Sequence, residues 1–240
     1  MKLDLLVLAA HPDDAELCCS GAILSYTLHG KKVGIVDLTK GELGTRGTVE
    51  DRQLEAEAAG KILGLSVREN LGLPDGYLSD TPEAIQAIIS VIRKYQPDTV
   101  LINALYDRHT DHGKGGEISS KACFLSGLVK IETLDDGNLQ DAWRPTNVYH
   151  FIQDRYIKPD FVLDITPYWE KKKQAIGAFK SQFFNPNSTE PQTYISSQNF
   201  MIFIEARALE FGHSIGVQYG EGFCTDKGRF VGIKSLESLI

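Results

Sequence analysis

The stretch Lys2 to Glu16, KLDLLVLAAHPDDAE, constrains the fold more than any other part of the chain. Leu3, Leu5, Val7 and Ala9 interleave with Leu6, Leu8 and Ala10, so a strand here is apolar on both faces. Such a strand belongs at the centre of a parallel sheet covered by helices on both sides. It ends abruptly in His11, Pro12, Asp13, Asp14 and Glu16. In open α/β sheets ligands collect at the carboxyl ends of the strands, where these groups would lie.

The following segments repeat the pattern. Ala15 to Leu28 has helical spacing and is followed by Gly30, a stop signal. Val33 to Leu38 is a second strand running into the Gly-rich loop TKGELGTRGT, and Val49 to Leu63 is a helix closed by Gly64. Val67 to Leu71 is a short third strand, and Pro82 to Tyr95 is an amphipathic helix with proline in its first turn. Thr99 to Ala104 is a fourth strand, whose carboxyl end opens the loop LYDRHTDHGKGG. Three successive strand-helix units imply parallel strands with right-handed crossovers, hence a Rossmann-like α/β sheet with helices on both faces.

Beyond this the expected elements are a helix over Glu117 to Val129 and a surface excursion from Asp135 to Asn147. Strands follow at Val148 to Ile152 and Phe161 to Ile165, then a helix capped by Thr166 and running to Gln182. Another helix is expected over Ile195 to Phe211, and the Gly-rich HSIGVQYGEGFC is expected to fold back over the sheet edge. With no repeat or low-complexity linker, the 240 residues read as one domain, 1–240, with a carboxy-terminal elaboration.

The balance of 25 basic against 32 acidic residues, formally -7, opposes a general affinity for nucleic acid or anionic membrane. No apolar run reaches the roughly 20 residues of a membrane span, and the amino-terminal run is too short and acidic for a signal segment. Cys18, Cys19, Cys123 and Cys224 form no CxxC pair and fit buried thiols in a reducing cytoplasm.

The chemistry sits in two histidine-bearing loops on the same predicted edge. His11, Asp13 and Asp14 come from one, and His109, Asp111 and His112 from the other. Two neutral imidazoles and one carboxylate suit a tetrahedral divalent metal, most naturally zinc, with a position left for water. His11 and Asp14, three residues apart at a helix start, can face one metal while Asp13 points elsewhere and serves as base. The plain alternative is helix-start grammar, since proline and aspartate are common in a first turn. HTDH alone reads more readily as a solvated loop, since two histidines in a polar loop are more often merely hydrated. Their joint occurrence in a chain with six histidines favours the metal. Neither GxGxxG nor GxxxxGK[ST] follows the first strand, which opposes a non-catalytic nucleotide-binding module.

AHPDDAE after an amino-terminal strand, GELGTRGTVEDRQLEA, the later HTDH and the terminal YGEGF resemble the LmbE-like, or PIG-L, family of metal-dependent N-acetylglucosamine deacetylases. Within it, GTRGT, RHTDH and YGEGF are most similar to the bacillithiol biosynthesis deacetylases, which act on N-acetylglucosaminyl-malate. The resemblance implies His11, Asp14 and His112 as metal ligands and Asp13 as general base. It implies His109 as the group that stabilises the oxyanion and protonates the leaving amine, and a homo-oligomeric assembly. Zinc is the expected metal, with Fe2+ as an alternative that a His-His-Asp set does not distinguish.

Asp111 is then expected to orient one imidazole, with a simple turn-forming role as the alternative. Arg46, Arg52 and Arg108 are the candidates for a malate-bearing substrate, because arginine forks suit carboxylates. For Arg52 the competing reading is a solvated pair with Glu55 or Glu57. Tyr194 and His213 are weaker candidates, and Glu16 is expected to support the helix start. Other N-acetylglucosaminides, a chito-oligosaccharide or an inositol conjugate, are the alternative substrates.

Overall fold

The structure is a computed structural model and describes residues 1–232. Its main strands are β1 (Leu5–Ala9), β2 (Val33–Thr39), β3 (Val67–Leu73), β4 (Thr99–Ile102), β7 (Asn147–Phe151), β8 (Phe161–Asp164) and β9 (Gly220–Thr225). They form one seven-stranded sheet of order β3-β2-β1-β4-β7-β9-β8. A small hairpin, β5 (Leu134–Asp135) and β6 (Asn138–Leu139), stands apart from the sheet. The helices are α1 (Asp14–Thr27), α2 (Val49–Leu63), α3 (Pro82–Tyr95), α4 (Thr110–Leu125), α5 (Trp169–Ile176) and α6 (Gln198–Ser214).

β1 is wholly buried and pairs in parallel with β2 on one side and β4 on the other. Leu5, Val7 and Ala9 pack with Ile23 and Leu24 of α1 and Ala175 of α5. Leu6 and Leu8 pack with Ile88 and Ile92 of α3 and Ile118 of α4. The alternation of a strand therefore supplies two cores, as the doubly apolar sequence requires. The chain winds outward from β1 through β2 to β3, then restarts at β4 on the other side. That reversal leaves a crevice above the carboxyl ends of β1 and β4, the usual ligand position in such sheets.

The expected α/β architecture with a mostly parallel sheet is the one observed, and α2 and α3 have the expected bounds. Three local expectations are corrected. α4 begins at Thr110, seven residues before the expected Glu117, because His109 caps it and accepts the Asp111 N–H at Nδ1. The helix expected to run to Gln182 is a 3-10 turn (Thr166–Tyr168) followed by α5, which stops at Ile176 before Gly177. The Gly-rich segment does not cover the sheet edge. Its GEGFC portion, with Thr225, forms β9, inserted antiparallel between β7 and β8. There Gly222 gives way to the Phe211 ring, whose carbons would stand 2.8 Å from an added Cβ.

Candidate active site

A cavity of about 390 Å³ opens at this crevice. Its lining includes His11, Asp13, Asp14, Arg46, Arg52, Arg108, His109 and His112, so the two predicted loops meet. Tyr194, Ile195 and Phe200 from the carboxy-terminal half form part of another wall. Tyr194 thus lies where the sequence allowed, whereas His213 is exposed in the last turn of α6.

Asp14 is the most tightly held group. Its Oδ2 accepts from the His11 backbone N–H at 3.1 Å and from Asn103 Nδ2 at 3.0 Å, and its Oδ1 accepts from Gln153 Nε2 at 3.0 Å. Asn103 follows β4 and Gln153 follows β7, so neighbouring strands fix one carboxylate. Facing it are His11 Nδ1 at 3.6 Å and His112 Nε2 at 3.2 Å.

The other nitrogen of each of these rings meets carboxylates. His11 Nε2 faces Asp75 Oδ1 at 3.1 Å and Asp111 Oδ2 at 3.4 Å, and His112 Nδ1 faces Asp107 Oδ2 at 2.5 Å. In the neutral form, with the proton placed toward these acceptors, His11 Nδ1 and His112 Nε2 would direct lone pairs at the Asp14 side. Two imidazole lone pairs beside a fixed carboxylate fit a divalent cation with nitrogen and oxygen ligands. Two other donor sets lie within 4.8 Å of one another: His11, His109 and His112, and His11, Asp75 and Asp111. Asp14 belongs to neither. His109 Nδ1 already accepts the Asp111 N–H, so His109 offers only Nε2 to the first of these sets. In the second set, Asp75 and Asp111 also accept from Leu43 and Gly76 N–H groups.

Electrostatics follow from this packing. Burial alone would lower His11 and His112, but the surrounding carboxylates prevail. Asp111, Asp14 and Asp75 hold His11 well above its ordinary value, and Asp14 and Asp107 hold His112 at about 9. Burial would raise Asp14, yet His112 and His11 hold it well below the carboxylate range. His109 moves down through burial and the nearby His11 and His112, so its neutral form, with Nε2–H free to donate, is favoured.

Asp13 differs from its neighbours. It is a non-glycine residue at φ 122°, a sparsely populated region, and its side chain does not cap α1. Its Oδ2 instead accepts from Arg52 Nη2 at 2.8 Å, and burial pushes its pKa up to about 7 against the pull of Arg52. Arg52 is therefore buried at the site and not paired with Glu55 or Glu57 at the surface. Gly41, at φ +66°, makes room for it, since an added Cβ would lie 2.4 Å from Arg52 Nη1.

The other arginines have internal partners too. Arg46 donates to Ser188 Oγ at 2.6 Å and stands 3.5 Å from Glu190, while Arg108 stands 3.5 Å from Asp154 with its guanidinium over Tyr194. Glu16 pairs with Arg68, which also clamps Asp37, joining α1 to β2 and β3. Asn103, Gln153, Asp75 and Asp107 were not singled out from the sequence. Asp107 was visible two residues before His109, but nothing local marked the other three.

A doubly wound sheet with this His, Asp and Arg constellation at its switch point has its polar site where α/β enzymes bind their ligands. The sequence model of the PIG-L family, described as GlcNAc-PI de-N-acetylase, matches residues 6–123. Diacetylchitobiose deacetylase of Thermococcus kodakarensis is 28% identical over 95% of this chain and 85% of its own length. A 4-oxalmesaconate hydratase of Pseudomonas putida is 30% identical over 74% of this chain and 73% of the relative. A probable N-acetyl-alpha-D-glucosaminyl L-malate deacetylase 2 of Bacillus anthracis is 28% identical over 75% and 81%. Among solved structures, conserved protein TT1542 of Thermus thermophilus superposes with a TM-score of 0.85 at 32% identity, covering 97% of this chain and 99% of that one. The N,N'-diacetylchitobiose deacetylase of Pyrococcus horikoshii gives 0.79 at 26% identity, over 98% and 88%. The chain belongs to the PIG-L family and is an N-deacetylase. Among the described residues no helix is long and apolar enough to cross a membrane.

Proposed function

We propose that this protein hydrolyses the acetamide of an N-acetylglucosaminide, with His11, Asp14 and His112 holding a divalent cation, zinc in preference to Fe2+. One observation carries the reading: the strained, buried Asp13 carboxylate lines the same cavity as those three groups and takes its own hydrogen bond from Arg52. When bound, the cation supplies Lewis-acid activation of water and of the acyl oxygen. Asp13 takes the proton of the attacking water as general base. His109 donates from Nε2 to the oxygen on which negative charge develops. The proton gained by Asp13 is then available to the departing amine, which relieves His109 of the acid role the resemblance implied. Asp75, Asp111 and Asp107 keep the imidazoles oriented.

The preferred substrate is N-acetylglucosaminyl-malate. Three arginines line one cavity, and the Nε atoms of Arg46 and Arg52 are buried without a hydrogen-bond partner, a donor surplus that suits an anionic aglycone. The Bacillus anthracis relative supports the same choice. A neutral N-acetylglucosaminide such as diacetylchitobiose is the second reading, favoured by the carboxylates of Asp13, Glu190 and Asp154 already facing the arginines.

The chain is taken to act as one deacetylase domain in the cytoplasm, where its four free cysteines are suited to a reducing environment. Its acidic charge opposes nucleic-acid partners. Ile202, Ala206 and Leu209, exposed along one side of α6, support a homo-oligomer, which light scattering would read.

Acetate release from N-acetylglucosaminyl-malate and from diacetylchitobiose, each with and without chelator, tests the proposal. Chelator-sensitive release from the malate glycoside is expected. Preference for the neutral sugar selects the second reading, and hydratase activity without acetate release overturns both.

A further inference from the structure

α1 is broken at Cys19, whose φ of -141° and ψ of 17° leave the helical region. In a continuous helix the Gly21 N–H would donate to the Leu17 carbonyl. Here a side-chain pair stands between them. Gly21 N and Ala22 N donate to Glu221 Oε1 and Oε2, each at 2.8 Å. Lys172 Nζ donates to Leu17 O at 2.8 Å and to Glu221 Oε1 at 2.7 Å. The carboxylate thus meets the backbone donors of the second half of α1, and the ammonium meets a carbonyl of the first.

Both side chains are buried, Lys172 at 2% and Glu221 at 4% exposure. A buried ion pair is poor evidence of stabilisation, because desolvation offsets much of its attraction, and well-packed apolar replacements commonly do as well. Its placement points to another role. The half of α1 it holds starts at Asp14, and Leu17 N donates to Asp13 O at 3.0 Å. Leu17 and Cys18 line the catalytic cavity. The pair comes from α5 and β9, elements that contribute no residue to the proposed cation site.

We propose that Lys172 and Glu221 are positioning residues: inserted in the broken turn of α1, they set the angle at which Asp13 and Asp14 enter the site. The inference rests on the deacetylase reading for its kinetic consequence, while its effect on Asp14 can be read without catalysis. Removing the pair lets Gly21 N–H and Leu17 O meet, so α1 straightens and carries both aspartates with it. Gly21 is already pressed against Ile165, the residue after β8, whose Cγ2 lies 2.4 Å from where a Cβ would be, so straightening must move the first half of the helix.

The test is the double variant K172M/E221M, which removes both charges and leaves neither unpaired. The expected result is a folded protein whose kcat falls about 100-fold, the scale of an ångström of misplacement, with KM within about twofold of wild type. Zinc Kd, measured by competition with a chromophoric chelator, should rise about tenfold, as for loss of a ligand-orienting contact. The Gly21 amide should change its hydrogen-exchange protection. Unchanged kcat and unchanged zinc Kd in the folded variant overturn the proposal. If the double variant does not fold, E221Q serves: it keeps one acceptor but turns a donor toward a backbone N–H, and the same loss of kcat and zinc affinity is expected. If the wild type releases no acetate from either glycoside, the deacetylase reading fails separately. Zinc Kd alone then decides, a rise supporting positioning and constancy overturning it.

Discussion

Arg52 Nη2 lies 2.8 Å from Asp13 Oδ2, and the two side chains are buried together at the mouth of α1. The contact gives the Asp13 carboxylate a fixed partner beside the cavity that His11, Asp14 and His112 also line. If Asp13 is the base, Asp13→Asn should lower kcat by about 10²- to 10⁴-fold while bound zinc stays at the wild-type ratio. Arg52→Lys keeps the charge but loses the guanidinium whose Nη2 meets both Asp13 Oδ2 and the Pro12 carbonyl, and should cost about tenfold in kcat. Steady-state kinetics with metal analysis decides both, and full activity in Asp13→Asn removes the assigned base.

Asp107 reaches the cation site only through His112. Asp107→Asn should weaken zinc binding by about 10- to 100-fold, because the imidazole loses the carboxylate that sets its proton and orientation. His112→Ala should lose the metal outright. Equal zinc retention in both variants would remove His112 from the ligand set.

Arg108 is the arginine best able to turn toward a ligand, its side chain being 40% exposed and its contact with Asp154 a loose 3.5 Å. Arg108→Gln should raise KM for N-acetylglucosaminyl-malate by about tenfold, the worth of one charge-assisted contact, and leave KM for diacetylchitobiose nearly unchanged. Equal effects on both substrates would detach Arg108 from aglycone recognition.

Asp37 shares Arg68 with Glu16, and burial pushes its pKa up to about 6 in spite of the guanidinium. The folded state therefore binds this proton more tightly than the unfolded chain, whose ordinary value is 3.8. Its contribution to stability must fall as pH rises from about 4 to about 6. Asp37→Asn removes the titration and leaves Arg68 paired with Glu16. Relative to wild type, the variant should gain on the order of 3 kcal/mol across that window in urea titrations at the two ends. A pH-independent difference would refute the assignment.

Much of this was legible locally. The apolar alternation of Leu3 to Ala10 required a strand covered on both faces, and Gly64 and Pro82 marked the end of α2 and the start of α3 because such signals are made by residues close in sequence. α4 was misjudged at its start because His109 is an unusual cap. β9 departs from expectation because a Gly-rich strand carries little hydrophobic pattern, its glycines making room for Phe211 and Gly212 of the helix α6.

By itself the sequence determined that an α/β sheet would present HPDD and HTDH on one edge, because strand direction and crossover handedness follow from local pattern. Only the tertiary structure decided how those residues would act. Strand order brought Asn103 and Gln153 to Asp14, and the loops after β3 and β4 brought Asp75 and Asp107 to His11 and His112. Burial raises both Asp13 and Asp14, and only at Asp14 do His112 and His11 overcome it and keep the carboxylate ionised. Adjacent aspartates are alike in sequence, and their chemistry differs because their partners come from distant parts of the chain.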